Sequence, residues 1–128
     1  MISILIPIRN EYENLDDIER IFNKNFYEIK HEVILINDFS DDHTLIKAEE
    51  ISKKNKNFIV LNNQKKGLGG AINLGIENAK GKFICIMMAD LSDDINDLKK
   101  YYKLMEENNY DAVFGSRFVP DSIVAEYP

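Results

Sequence analysis

Short, wholly apolar segments alternate along this chain with segments whose apolar residues recur at helical spacing. Strands without a polar face need cover on both sides, which a parallel sheet flanked by helices provides. The periodicity predicts strands at Ile2–Pro7, Glu32–Asn37, Phe58–Leu61, Lys82–Met87 and Asp111–Phe114, separated by helices at Asn14–Phe26, Thr44–Lys54, Leu68–Ala79 and Asp94–Asn108. The fold class is therefore α/β, with a mostly parallel sheet.

The length of 128 residues suits one domain with a real core. Beyond Val119 the sequence gives no further helix or strand signal up to Pro128. We therefore expect residues 1–128 to form a single domain that is incomplete at its C-terminus.

Two of the predicted strands end on acidic clusters. The clusters are Asp38, Asp41 and Asp42 after the second strand, and Asp90, Asp93 and Asp94 after the fourth. Ligands of open α/β folds bind beyond the carboxyl ends of the strands, where carboxylates can hold a divalent cation against a phosphorylated ligand. The pattern therefore predicts a site at this edge of the sheet.

Charge and cysteine content exclude some classes of protein. The net charge is −6, with 16 basic against 22 acidic residues, which argues against a nucleic-acid partner. The single cysteine, Cys85, lies in an apolar strand and is expected to be a buried structural thiol. The apolar start at Ile2 lacks the basic residues and the length of a signal peptide, so we expect a cytoplasmic protein.

Five motifs in sequence order carry a resemblance to a known family. They are Pro7-Ile8-Arg9-Asn10-Glu11, then Asn37-Asp38-Phe39-Ser40 with Thr44, then Gly67-Leu68-Gly69-Gly70-Ala71, then Asp90, and finally Gly115-Ser116-Arg117. With them, the chain resembles the nucleotide-sugar-binding part of family 2 glycosyltransferases of the GT-A fold (Rossmann-like), and within that family the dolichyl- or polyprenyl-phosphate mannosyltransferases. Two positions depart from the pattern, because Met88 replaces the first acid of an Asp-x-Asp motif and Asn37 replaces the first of an aspartate pair.

The resemblance implies a nucleotide-sugar site and a cation. By similarity, the nucleotide-sugar site comprises Pro7, Arg9, Glu11, Ile36, Asp38, Met88, Ala89, Asp90 and Arg117. Asp90 would coordinate Mg²⁺ or Mn²⁺ on the diphosphate, with Asp93 and Asp94 as further oxygen donors. Arg117 would pair with phosphate oxygens, and Asp90 and Arg117 would be the catalytic residues.

Each of these roles has a plainer alternative. Glu11 suits the first turn of a helix, where an acid complements the helix dipole. Asp90 suits a helix cap, and Arg117 a solvated loop. Gly67 predicts a tight turn into the third helix with amides on the ligand side, and Gly81 is expected to be the C-cap of that helix.

The implied reaction is displacement, with inversion, at the anomeric carbon of a GDP-mannose- or UDP-glucose-type donor. A polyprenyl phosphate acceptor is already an anion and needs no general base, and the chain would meet it at the cytoplasmic face of a membrane. The alternatives are a family 2 enzyme acting on a hydroxyl acceptor in polysaccharide or glycolipid synthesis, and a non-catalytic nucleotide-binding remnant. A phosphoacceptor receiver domain fits less well, because its acid pair belongs where Arg9-Asn10 stand.

Overall fold

The computed structural model describes residues 1–92, 94–108, 113–115 and 123–126. The chain divides into two compact units, Met1–Ser92 and Asp93–Pro128. The first unit contains β1 (Ile2–Ile8), α1 (Tyr12–Asn25), β2 (His31–Asn37), α2 (Thr44–Lys54), β3 (Phe58–Asn62), α3 (Leu68–Asn78) and β4 (Phe83–Ile86). The predicted alternation of strands and helices is confirmed.

A four-stranded sheet in the order β3-β2-β1-β4 forms the centre of the first unit. All of its neighbouring strands are parallel. The order runs outward from β1 to β3 and then returns to the other side of β1 for β4. Since crossovers between parallel strands are right-handed, this reversal puts α3 on the sheet face opposite α1 and α2.

The core occupies both faces of the two central strands. Leu5, Ile34 and Ile36 are fully buried and pack with Ala71 of α3 on one face. The alternate residues of β1 and β2 point the other way and are also fully buried, as are the inward residues of the two helices on that side: Ile4, Ile6, Ile8, Val33, Leu35, Leu15, Ile18, Phe22 and Ala48.

Cover is incomplete over β4. In the part of the chain that the structure describes, Ile84 and Ile86 of β4 and the following Met88 are each at least 40% exposed, so the expected cover on both faces is not found at this edge strand. Cys85 is also only half-buried, not fully buried as its apolar neighbours suggested. An apolar sequence shows that a strand can be buried, but its place in the sheet decides whether it is.

The second unit contains α4 (Ile95–Glu107) and an antiparallel pair, β5 (Val113–Gly115) and β6 (Ile123–Glu126). β6 corrects the expectation that the tail has no strand, because four residues are too few to show periodicity. Asp111, at the predicted start of the fifth strand, lies outside the described residues. No helix in the part of the chain that the structure describes is long and apolar enough to span a membrane.

Candidate functional site

The carboxyl ends of the four parallel strands lie at one edge of the sheet. Ile8 is in register with Asn37, and Asn37 with Asn62, so β1, β2 and β3 end side by side. On the other side of β1, the Met87 amide donates to the Leu5 carbonyl at 2.9 Å. The strand order reverses between β1 and β4, and the crevice at such a reversal is where open α/β sheets bind ligands.

Asp38 follows β2 and is only 7% exposed. Its Oδ1 accepts hydrogen bonds from Asn63 Nδ2 and from the Gly67 amide, both at 3.0 Å. We call Asp38, Asn63 and Gly67 the Asp38 clasp. The clasp ties the end of β2 to the turn between β3 and α3.

That turn depends on two glycines. Gly67 has φ 121° and ψ 159°, a region that only glycine occupies without strain. Gly70 meets the Lys65 carbonyl so closely that a Cβ there would overlap the carbonyl oxygen. The Gly67 amide was expected to face a ligand, but it donates to Asp38 instead.

The β1–α1 and β2–α2 loops are hydrogen-bonded to each other through Asn10. The Asn10 amide donates to Ser40 Oγ at 3.1 Å, and Asn10 Oδ1 accepts from the Asp41 amide at 2.7 Å. Asn10 and Phe39 have φ of 54° and 59°, which is uncommon for asparagine and strained for phenylalanine. The paired loops hold both residues in this left-handed conformation.

Glu11 and Thr44 form a second link between the same loops. The Glu11 amide donates to Thr44 Oγ1 at 3.0 Å. The Thr44 hydroxyl donates in turn to Asp42, and this hydrogen bond lowers the pKa of the Asp42 carboxyl below its ordinary value. The Glu11 carboxylate accepts from Asn14 Nδ2 at 2.8 Å within the first turn of α1.

A cavity of about 440 Å³ opens beside these loops. Three of its seven lining residues are acidic, and the lining consists of Asn10, Glu11, Tyr12, Glu13, Asn14, Asp42 and His43. Glu11 is therefore placed both at the helix start, as its plainer interpretation holds, and on the wall of a cavity.

Asp90 follows β4 and is exposed, with Oδ1 accepting from the Ser92 amide at 3.0 Å. The N-cap of α4 is Asp94, whose side chain accepts from the Asn96 amide. The helix-cap alternative for Asp90 is therefore wrong. Leu91, next to Asp90, has a positive φ of 61°, which marks a second strained loop at this edge.

Among the residues described, no three acidic, histidine or cysteine side chains are grouped to hold a metal ion. The donors present nevertheless fit Mg²⁺ or Mn²⁺, since one exposed carboxylate plus substrate phosphates is a common way of binding Mg²⁺. Asp90 is the residue that would supply this carboxylate. Asp94 was a further candidate donor, but its carboxylate caps α4.

The other predicted site residues are distributed around the same edge. Pro7 and Ile36 are buried partners in the β1–β2 register, so only their backbones can line the edge. Arg9 and Met88 are exposed, whereas Ala89 is 2% exposed. Arg117 and Asp93 lie outside the described residues.

Two contributors to this edge had no role assigned to them from the sequence, although Ser40 stood in one of the motifs. Asn63 is 5% exposed and belongs to the clasp, and Ser40 receives the Asn10 amide. An asparagine just after a strand and two residues before a lysine-glycine turn is typical of an Asx-turn, which the Lys65 amide forms on Asn63 Oδ1 at 3.2 Å.

A parallel sheet with a polar edge at its strand reversal is common to many ligand-binding α/β domains, and likeness to solved structures identifies this one as the GT-A type. Solved structures with this fold include TarS 1–349 of S. aureus, with a TM-score of 0.73 at 23% identity over 94% of this chain and 38% of that chain. The mannosyltransferase PcManGT of Pyrobaculum calidifontis, solved in complex with GDP-Man and Mn²⁺, has a TM-score of 0.68 at 20% identity over 80% of this chain and 31% of that chain. At these identities the likeness establishes the fold.

Residues 3–128 match the model of glycosyl transferase family 2, and the chain belongs to that family. It is 30% identical over 127 residues to a dolichol-phosphate mannosyltransferase of Pyrococcus furiosus, covering 99% of this chain and 36% of that relative. It is 25% identical to glycosyltransferase AglD of Haloferax volcanii, covering 95% of this chain and 20% of the relative. The chain thus spans about a third or less of the length of these relatives.

Proposed function

We propose that this chain carries the donor site of an inverting glycosyltransferase that moves a hexose from a nucleotide diphosphate sugar to a polyprenyl or dolichyl phosphate. The observation that carries the proposal is the strand reversal, which makes β1 and β4 neighbours. The Arg9–Glu11 loop therefore follows one strand and Met88–Asp90 follows the adjacent one. Support for the donor class also comes from a neighbour of the same fold that binds GDP-Man with Mn²⁺.

Each side chain has a defined task in this proposal. Asp38, held at the end of β2, accepts hydrogen bonds from donors on the base or ribose. Asp90 holds the divalent cation, which when bound offsets the negative charge that develops on the departing nucleoside diphosphate. Arg117 pairs with oxygens of the diphosphate or of the lipid phosphate.

The reaction then needs no general base from the protein. A phosphate oxygen of the lipid acceptor forms the new bond to the anomeric carbon from the face opposite the leaving group. The bond between that carbon and the diphosphate oxygen breaks, and its electron pair leaves with the nucleoside diphosphate. A hydroxyl acceptor would instead have to lose a proton to a base. The polyprenyl-phosphate acceptor is the finer part of the proposal and is supported by the dolichol-phosphate mannosyltransferase relative.

A thermal-shift titration with GDP-mannose and with UDP-glucose, each with and without Mn²⁺, tests the donor site. A ligand at about 100 times its dissociation constant stabilises the fold by about 2.7 kcal/mol, which shifts the melting temperature by several degrees. We expect Mn²⁺-dependent stabilisation by one donor, and its loss in Asp90→Ala. Asp17→Ala, which removes an exposed α1 carboxylate paired with Arg20, is the matched control and should keep the shift.

The acceptor is tested by incubating labelled donor with polyprenyl phosphate or with the matching polyprenol. Transfer to the phosphate alone supports the proposal, and transfer to the polyprenol alone indicates a hydroxyl-acceptor enzyme. Donor binding without transfer to either would indicate a nucleotide-binding module. The nucleotide-binding module is the second candidate function, because Asn37 and Met88 stand where the family pattern has acidic residues.

A further inference from the structure

Asn63 is buried at the candidate site, and both polar atoms of its side chain make hydrogen bonds. Its Nδ2 donates to Asp38 Oδ1 at 3.0 Å and to the Lys65 carbonyl at 2.6 Å, while its Oδ1 accepts from the Lys65 amide at 3.2 Å. Its own amide donates to the Asn37 carbonyl at 2.8 Å. One side chain therefore fixes both the 63–67 turn and the carboxylate opposite it.

As a result, the two carboxylate oxygens of Asp38 differ in the hydrogen bonds that they accept. Oδ1 accepts two hydrogen bonds, from Asn63 and from Gly67, and so uses both of its lone pairs. Oδ2 receives only a longer, shared contact from the Gly67 amide at 3.3 Å. Within the described contacts, the clasp thus occupies one oxygen and leaves the other with capacity for an N–H or O–H donor.

We infer that Asn63 is a positioning residue for nucleoside recognition, because it sets the orientation in which Asp38 presents Oδ2 to a donor on the base or ribose. The inference rests on the proposed function and adds to it a residue that would not touch the substrate. It also separates two parts of the ligand. The nucleoside depends on the clasp, whereas the diphosphate depends on the cation held at the end of β4.

The neighbouring Asn62 provides a matched control. It has the same side chain one position earlier, but successive residues of a strand point to opposite faces. Asn62 Oδ1 accepts from Asn37 Nδ2 at 2.9 Å and not from a member of the clasp. Truncating Asn62 removes an equal number of atoms at the same strand end without disturbing the clasp.

The experiment compares Asn63→Ala with Asn62→Ala by calorimetric titration of GDP, UDP and pyrophosphate, each with Mn²⁺. We expect Asn63→Ala to bind the preferred nucleoside diphosphate about tenfold more weakly, because the Gly67 amide alone would then orient the Asp38 carboxylate. Pyrophosphate affinity should stay within about twofold, and Asn62→Ala should match the parent with every ligand. Unchanged nucleotide affinity in Asn63→Ala, or an equal loss for pyrophosphate, overturns the inference.

A measurement on the parent protein decides the case if Asn63→Ala does not fold. The side-chain amide resonances of Asn63 should shift when the preferred nucleoside diphosphate is added with Mg²⁺, and should not shift with pyrophosphate. The Asn62 resonances serve as the internal reference. Nucleotide binding with no movement of the Asn63 signals overturns the inference alone, whereas a parent that binds neither nucleotide overturns the proposed function as well.

Discussion

At the residue scale, Gly67 and Gly69 stand two positions apart under opposite constraints. Gly67 has a backbone conformation that a side chain cannot adopt without strain, while Gly69 lies inside α3 with open space where a Cβ would be. We expect Gly67→Ala to lower the free energy of unfolding by about 1–3 kcal/mol. Gly69→Ala should raise it by about 0.5–1 kcal/mol, because alanine loses less entropy in a helix.

Urea unfolding of the two variants measures the expected decrease and the expected increase in free energy of unfolding in one series. The pair controls for the added methyl group, which is identical in each. Equal effects at positions 67 and 69 would contradict the backbone conformation given for the turn.

At the same scale, the hydrogen bond between Thr44 and Asp42 can be tested by titrating the Asp42 carboxyl. The Thr44 hydroxyl lowers the pKa of Asp42 chiefly by its hydrogen bond. A depressed pKa in the folded state adds stability above the unfolded pKa, and this stability is lost as the pH falls through the folded value. Thr44→Val should therefore raise the pKa of Asp42 toward normal, which carboxyl ¹³C shifts between pH 2 and 6 would follow. An unchanged titration would show that the Thr44 hydroxyl is not the cause.

At the element scale, the central strands were predictable because burial on both faces leaves an unbroken apolar run. The predicted start of α1 was two residues late, since Tyr12 and Glu13 are exposed and carry no apolar signal.

Gly81 was expected to be the C-cap of α3, but Ala79 occupies that position. Position 81 instead requires glycine because the backbone passes close to β1, so that a Cβ there would come within 2.7 Å of the Ser3 amide nitrogen. Such contacts between distant segments leave no local pattern.

Gly81 belongs to a hydrogen-bonded cluster at the amino ends of the strands, in which Ser3 and Glu32 are buried and Lys80 contributes its backbone amide. Glu32 is 5% exposed, and its Oε2 accepts from Ser3 Oγ at 2.6 Å and from the Lys80 amide at 2.7 Å. Ser3 Oγ in turn accepts from the Gly81 amide at 2.8 Å. The carboxylate thereby fastens the α3–β4 connection to β1 and β2.

Removing the Glu32 carboxylate should loosen this connection. We expect Glu32→Ala to cost about 2–4 kcal/mol in free energy of unfolding, because the buried Ser3 hydroxyl and the partly buried Lys80 amide both lose their acceptor. Glu32→Gln should cost less, since its carbonyl oxygen can accept from the same donors. Exposed Glu49→Ala should lie within about 0.5 kcal/mol of the parent. Chemical denaturation checks the order, and a Glu32→Ala variant as stable as Glu49→Ala would argue against a fastening role.

At the scale of the whole molecule, the position of the candidate site was predictable but the support around it was not. Acids after apolar strands indicated the edge, because parallel strands bring their carboxyl ends together. The clasp on Asp38 and the Asn10–Ser40 link were not indicated, since they join residues 25 and 30 positions apart. The sequence therefore predicted which acidic groups lie at this edge, and the structure added the contacts that hold Asp38 in place.

The sheet order also predicts how stability is distributed through the first unit. β1 and β2 are hydrogen-bonded on both sides, whereas β3 and β4 are the outer strands of the sheet among the described residues, and β4 has exposed apolar side chains. Amides of the central strands can exchange only when the sheet opens as a whole, but edge strands can separate locally at lower free energy. We expect the slowest hydrogen exchange in Ile4–Ile6 and Val33–Leu35, and exchange at least about tenfold faster in β4. Residue-resolved hydrogen–deuterium exchange measures this difference, and protection in β4 equal to that in β1 would show that β4 opens only together with the core.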